Sequence, residues 1–345
     1  MLRRHCLFGQ VSMRLEMPFP QIKVSRRTAC KTLLLSAASP LPVFAKNNYP
    51  ERLIRLVVPY AAGGGVDYMV RQLGLRLAQA FGQSVIIENR TGAGGTVGTN
   101  HVAKAPPDGY TLLGIDSSYT AFPSLFRNLP WNFDNDLIPI TTFAMTPQVM
   151  MVPAASPYQS VGELIEAAKR SPGKLNFGSG GRGSSPSMAA ERFCVEAGVT
   201  ITDIPYKGGS ESLVGLLSGQ VDMVMTSPPT ALGQMRAGMV RLLAVSSEKR
   251  SAVMPDVPTF RESGLPGFVS ANWFGLMAPR GTSPEVIARL HEEVVKLLQL
   301  PEVRKILNDQ GAEPGGIAPD RFKEQVIKEA AIWKSIMAKA GIAAQ

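Results

Sequence analysis

Four loops carry nearly all of the residues in this chain that could do chemistry, and all four are built from Gly, Ser or Thr. They are Pro59–Asp67 (PYAAGGGVD), Arg90–Gly98 (RTGAGGTVG), Gly178–Ser187 (GSGGRGSSPS) and Pro205–Ser210 (PYKGGS). Such loops work through their backbone, because glycine permits tight turns and close approach. Where a helix follows, its free N–H groups and positive dipole end favour an anion. In the first loop Gly63, Gly64 and Gly65 precede such a helix. Asp67 falls in its first turn, where its charge suits the dipole and where it would equally serve as a cap. The third loop offers hydroxyls at Ser179, Ser184 and Ser185 and a single guanidinium, Arg182; the fourth again opens a helix. The second loop has the spacing G-x-G-G-x-x-G and does not follow the first strand, so it reads as a tight structural turn and not as a dinucleotide loop.

Turnover chemistry is poorly provided for. His101 follows the second loop without an acid or nucleophile partner, and His291 stands mid-helix beside Glu292 and Glu293, as on a solvated face. No His/Cys/Asp cluster has zinc spacing, and neither a Walker loop nor a G-x-S-x-G elbow occurs. Serines without a paired base are not activated nucleophiles. The expectation is a binding protein without a metal or cofactor, not an enzyme. Cys194 lies in the apolar helical pattern Met188–Val195 and is expected to be a buried structural thiol.

The elements that must hold these loops alternate between strands and helices. Leu53–Val58, Val85–Glu88 and Tyr110–Ile115 read as strands, with a helix over Val66–Phe81 closed by Gly82. A second unit follows, with strands at Val149–Val152, Leu175–Phe177, Ile201–Pro205, Val221–Met225 and Leu242–Val245. Its helices are Ser160–Arg170, with Ser160 and Glu163 spaced as a capping box, Pro186–Ala197 and Ser210–Leu217. Amphipathic helices at Pro284–Leu298 and Pro319–Ala340 complete the chain, their apolar stripes read as core. Two segments, Ile140–Val152 and Ser270–Met277, are long enough to cross between units. The expected fold is α/β, a two-domain clamp in which each domain is a mostly parallel sheet flanked by helices. Domain 1 is residues 46–145 plus 271–345 and domain 2 is residues 146–270. A length of 345 residues suits two domains of about 150 residues each, and ligands bind at such interfaces, beyond the C-terminal ends of strands.

Charge narrows the function further. The chain carries 36 Lys and Arg against 27 Asp and Glu, a net +9. Residues 1–45 hold seven bases and one acid; removing their +6 from +9 leaves +3 for the rest, which is no nucleic-acid footprint. Those residues read as an export signal: Arg26-Arg27, a pair resembling a twin-arginine motif, an apolar run from Leu33, and small residues before a cleavage site at Ala45. Translation could begin at Met13 or Met17. A non-cleaved anchor is disfavoured because the run is short and contains Pro40 and Pro42. Cleavage there would leave Cys194 as the sole cysteine and no internal disulfide. No stretch of 18 apolar residues occurs, which excludes a polytopic membrane protein.

Taken with further stretches, the loops make a recognisable set. Val57–Asp67, Glu88–Gly95, Pro107–Leu112, Gly178-Ser179 with Gly183–Ser185, Pro205–Gly208, Ser218–Val221, Pro255–Thr259, Trp273–Leu276 and Gln310–Pro314 span essentially all of the chain beyond the leader. The sequence resembles the Bug family, the extracytoplasmic solute-binding subunits of tripartite tricarboxylate transporters. The resemblance implies a periplasmic, monomeric Venus-flytrap protein that captures a small carboxylate and delivers it to two membrane subunits. It places the ligand against Tyr60, Ala61 and Gly63–Gly65 on one side and Tyr206, Lys207 and Gly208 on the other. Ser179, Ser184 and Ser185 would add hydroxyls, and Asn272 and Trp273 would line the cleft. Ala61-Ala62, Arg182, Ser117-Ser118 and Thr226-Ser227 depart from the family pattern. Of these, Ser117, Arg182 and Thr226 are candidate ligand-binding residues, and the departures leave the identity of the ligand open. Two other functions fit the same loops: a sensor that presents ligand to a membrane kinase, and an exported hydrolase acting through Ser184.

Overall fold

The computed structural model describes residues 49–339 and Ala344; the export signal expected in residues 1–45 lies outside them. Strand β1 (Ile54–Val58) shows why the first sheet forms. Ile54, Leu56, Val57 and Val58 are fully buried, the continuous apolar run of a strand covered on both faces. Helix α1 (Gly65–Phe81) buries Met69, Val70, Leu73 and Leu77 along one stripe and stops at Gly82, whose φ of 64° is left-handed. There follow β2 (Val85–Asn89), α2 (Thr96–Ala103), β3 (Thr111–Asp116), the short α3 (Phe122–Leu125) and the long β4 (Leu137–Pro147).

A second sheet begins after one intervening residue, Gln148. Its elements are β5 (Val149–Pro153), α4 (Val161–Arg170), β6 (Asn176–Ser179), α5 (Ser185–Ala197), β7 (Thr202–Pro205), α6 (Gly209–Leu217), β8 (Met223–Thr226), α7 (Pro228–Arg236) and β9 (Val240–Val245). The Ser160 hydroxyl accepts from Glu163 N–H at 3.2 Å, as a capping box requires. The Glu163 carboxylate, however, takes the N–H of Gln159, one residue further out. The chain returns through β10 (Ala271–Pro279) and ends in α8 (Pro284–Gln299), α9 (Pro301–Asp309), β11 (Glu313–Pro314) and α10 (Pro319–Lys339).

The six-stranded sheet has the order β11-β4-β10-β3-β1-β2 and the five-stranded sheet β7-β6-β8-β5-β9. Most strands of each run in one direction. In the first sheet β10 lies antiparallel between β3 and β4, and β11 is antiparallel at the edge; in the second, β5 lies antiparallel between β8 and β9. The reversed strands follow from the connections: β5 leaves the first sheet and β10 re-enters it, so each runs against its neighbours. The two passages are themselves paired, with Ala271 opposite Pro147 and Pro279 opposite Leu137. A small knot of hydrogen bonds ties them where they leave the first sheet. Gln148 N–H donates to Ser246 Oγ (2.7 Å), Ser246 N–H to the Gln148 carbonyl (2.8 Å), and the Ser246 hydroxyl to the Ser270 carbonyl.

Each sheet has its own core. Phe193, Phe260 and Phe268 cluster on the second, with Cys194 beside them, 7% exposed, its thiol pushed up to about 12 by burial. Sequence reading missed α2, α3, α7 and α9. All are four to nine residues long, shorter than the window of about 11 residues over which helical periodicity can be counted. Among the described residues no helix is long and apolar enough to cross a membrane.

Candidate functional site

Four helix N-termini meet around one cavity of about 330 Å³. Each begins just past the C-terminal end of a strand: α1 after β1, α5 after β6, α6 after β7 and α7 after β8. The N-terminal residues of all four line the cavity: Gly64 and Gly65, Ser184 and Ser185, Gly208 and Gly209, and Ser227. Three of them, at Gly64, Gly208 and Ser227, have no side-chain cap. At Gly64 and Gly208 the first-turn N–H groups are therefore free for a ligand, and the dipole ends there favour an anion. Helix α7 opens with Pro228 and Pro229, which carry no N–H, and Thr230 N–H is bonded to the Ser227 carbonyl at 3.1 Å, so α7 offers only its dipole end. Only Ser184 caps its own helix, accepting from Ser187 N–H at 3.4 Å. A second cavity of about 600 Å³ adjoins the first, sharing Tyr60, Ala61, Gly180, Ser184 and Lys207. Arg182, Tyr206, Leu125, Phe126 and the turn Thr91–Gly95 complete its lining.

Most expected site residues come together here. Tyr60, Ala61, Gly64, Gly65, Ser184, Ser185, Lys207, Gly208 and Thr226 line the inner cavity, and Arg182 and Tyr206 the outer one. Arg182 is exposed and makes no ion pair among the described residues. Five others do not line either cavity. Trp273 is the clearest correction. Successive strand residues face opposite sides, so Asn272 and Phe274 line the inner cavity, while Trp273 packs edge-on against Phe322 (4.8 Å between centroids) and donates to Glu329 at 2.8 Å. Ser117 is turned inward, its hydroxyl donating to Asn272 Oδ1 at 2.6 Å. Ser179, at the end of β6, is fully buried. Gly63 serves the turn with φ 81°, and its N–H donates to Asp67.

Asp67 is structural. It is 3% exposed and accepts from Gly63 N–H (2.9 Å), Asn89 Nδ2 (2.8 Å) and the Arg71 guanidinium (2.8 Å), which fixes the turn before α1. Burial pushes its carboxyl up, but the Arg71 pairing and the two amide donors outweigh it and hold the group below the usual carboxylate range. A depressed folded value means stability that is present above the unfolded value of about 3.9 and lost as pH falls through the folded one. We therefore expect Asp67→Asn to lower Tm at pH 7, the gap to the parent narrowing as pH drops below about 4. A gap constant from pH 7 to pH 2.5 in thermal unfolding would contradict this.

Sequence reading missed Asp116, Gln148, Ser227 and Thr230, all lining the inner cavity. Asp116 was open to prediction, since it ends β3 on the same strand-end side as the four loops. Gln148 gave no local signal, because its place depends on how β4 passes into β5. Asp116 is 4% exposed and accepts from Ser118 N–H (3.2 Å), Ser118 Oγ (2.5 Å) and Asn272 Nδ2 (3.3 Å). Burial pushes its carboxyl up. The Tyr60 phenol, also raised, by burial and by the nearby Asp116 charge, meets Ser118 Oγ at 2.5 Å. Among the described residues no group of three His, Cys, Asp or Glu is arranged to hold a metal ion.

The chain is similar to known proteins in sequence and in fold. Residues 69–342 match the profile of the tripartite tricarboxylate transporter family receptor. The chain is 34% identical to Protein BugT of Bordetella pertussis over 322 residues, 93% of this chain and 99% of that one. Its fold superposes on that of R. palustris Rpa4515 with adipate, with TM-score 0.82 and 34% identity, covering 86% of this chain and 100% of the other. It superposes also on MatC of Rhodopseudomonas palustris with bound malate, with TM-score 0.78 and 32% identity over 84% and 99% of the two chains. The periplasmic binding protein BugD gives 0.80 and 32%, over 86% and 100%. Receptors of this kind bind solutes and do not turn them over. The chain belongs to the tripartite tricarboxylate transporter receptor family of periplasmic solute-binding proteins.

Proposed function

We propose that the protein captures a small carboxylate between its two sheets and delivers it to the two membrane subunits of a transporter. The observation that carries the reading is the convergence on one cavity of two helix N-termini, those of α1 and α6, whose first-turn N–H groups have no side-chain cap. Relatives with adipate and with malate support the ligand class. A carboxylate seated there accepts first-turn N–H groups, and ordered waters complete its shell. Residues 46–145 with 271–345 act as one lobe and 146–270 as the other, with residues 1–45 serving as the export signal cleaved near Ala45. The paired passages at Gln148 and Ser246 would be the hinge. Ligand shifts the open–closed equilibrium by its preference for the closed form, and the membrane subunits read that form.

Arg182 faces the adjoining outer cavity and receives the far end of the ligand, a second carboxylate or a strongly polar group. A bond to a charged partner is worth about 1.5–3 kcal/mol, so Arg182→Ala should weaken dicarboxylates about tenfold or more and leave monocarboxylates unchanged. Refolded, ligand-free protein screened by thermal shift and calorimetry against mono-, di- and tricarboxylates tests both statements. Ligand at 100 times its Kd stabilises by about 2.7 kcal/mol, a shift of several degrees. Folded protein indifferent to every carboxylate would sink the reading.

A further inference from the structure

Helix ends account for an anion in the inner cavity, but they leave Asp116 unexplained. Its carboxylate is buried in the wall of that same cavity. One part of its role is local: Oδ1 caps the turn that begins at Ser117 by accepting from Ser118 N–H. Oδ2 is different. It meets only the Asn272 amide at a long 3.3 Å. Asn272 is held in that orientation because its own Oδ1 accepts from both the Ser117 N–H and the Ser117 hydroxyl. No Lys, Arg or His pairs with Asp116 among the described residues. A buried carboxylate without a counter-charge is costly.

The neighbouring wall has the same imbalance. Gln148 gives its Nε2–H to Ser185 Oγ at 2.9 Å, and its Oε1 is buried with no donor. The charged side chains lining the inner cavity are Asp116, Glu211 and Lys207, an excess of one negative charge. Glu211 is partly used, accepting the Lys207 backbone N–H at 3.1 Å. A cavity that needed only to hold carboxylates would have no use for a buried anion and an unmatched acceptor in its wall.

We propose that Asp116 is a specificity-determining residue that receives a cationic amino group of the ligand, so that the preferred solute is an amino carboxylate, held by its carboxylate at the helix N-termini and by its ammonium at Asp116. This inference rests on the carboxylate-binding reading above. It makes the cavity complementary to a zwitterion: its wall carries both the uncapped N–H groups of α1 and α6 and the Asp116 carboxylate, held in place by Ser118 and Asn272. Ser118 in turn is tied to Tyr60 on the first loop, so an ammonium at Asp116 is sensed by the same loop that meets the carboxylate.

Matched ligand pairs test this without any variant. Titrating the protein by calorimetry with succinate and aspartate, glutarate and glutamate, and adipate and 2-aminoadipate isolates the amino group. We expect the amino member of at least one pair to bind tenfold or more tightly than its partner. Asp116→Asn should then abolish that difference while retaining the des-amino acid, and Asp116→Glu should restore part of it. Equal binding within each pair, or a preference for the des-amino acid, would overturn the assignment of Asp116 while leaving the carboxylate reading intact. Failure of folded parent protein to bind any of the six, or any other carboxylate, would overturn both. Should Asp116→Asn fail to fold, the pairs measured on the parent still decide the proposal.

Discussion

Gly208→Asp should abolish ligand binding without harming the fold. Gly208 precedes α6, its backbone is extended (φ 175°), and a side chain built there meets nothing within 4 Å. Aspartate is a preferred residue at this position because its carboxylate accepts the N–H groups of the following turn. Those are the donors that a bound carboxylate would use. The substitution therefore places a permanent intramolecular anion where the ligand's anion belongs, while adding a few tenths of a kcal/mol to the helix. Loss of two charge-assisted bonds, with like-charge repulsion added, costs the ligand about 3 kcal/mol or more, a fall of about 100-fold in affinity. Gly162→Asp is the control. It adds an acid to the first turn of α4, where the nearest atom is Ser160 Oγ at 3.9 Å and which lies outside both cavities. Thermal unfolding should show both variants as stable as the parent, and calorimetry should show binding lost only in Gly208→Asp. Retained affinity in Gly208→Asp would mean that the α6 terminus does not hold the ligand.

Gly98→Ala should do the reverse and damage the fold. The second glycine loop packs closely at its last glycine. A Cβ at Gly98 would lie 2.7 Å from the Arg90 carbonyl oxygen and 2.9 Å from Pro59 Cα, both backbone atoms that no rotamer change can move away. Gly98 lies inside α2, so alanine would gain up to about 1 kcal/mol in helix propensity. Overpacking against two backbones typically costs about 1–3 kcal/mol and here more. The net expectation is a loss of about 2 kcal/mol or more and a Tm lower by about 4 °C or more. A Tm equal to or above the parent's would show that α2 can slide on β1. Because Pro59 leads directly into the first binding loop, the same variant should also weaken ligand binding at temperatures where it remains folded.

Much of this architecture was legible in the residues. A strand such as Ile54–Val58 announces itself by an unbroken apolar run, and α1 by its stripe of Met69, Val70, Leu73 and Leu77 ending at Gly82. The cavity-lining loops were legible for a related reason: glycines and serines placed between a strand and a helix can be read locally, and Gly64, Gly65, Ser184, Ser185 and Gly208 all line the inner cavity. Residues chosen by proximity in sequence alone were less secure. Trp273 and Asn272 were both placed in the cleft for standing at the second crossing, but strand parity sends the two to opposite faces, and which face lines the cavity is not written in β10 itself. Asp67 shows the same limit. Its position in the first turn was read correctly, but Arg71 and Asn89, four and 22 residues further on, turn its carboxylate to the scaffold.

By itself, then, the sequence determined what is local: the order of strands and helices, the loops that open helices, and the scarcity of catalytic groups. Tertiary structure decided which helix ends share a cavity, because that depends on how β5 and β10 are inserted against the direction of their neighbours. That insertion brings residues more than 150 positions apart, Asp116 and Asn272, into hydrogen-bond contact at the cavity wall. Hydrophobic periodicity acts over a few residues and fixes each element. The charge balance of a binding site is set by which elements meet, and only the packed sheets determine that.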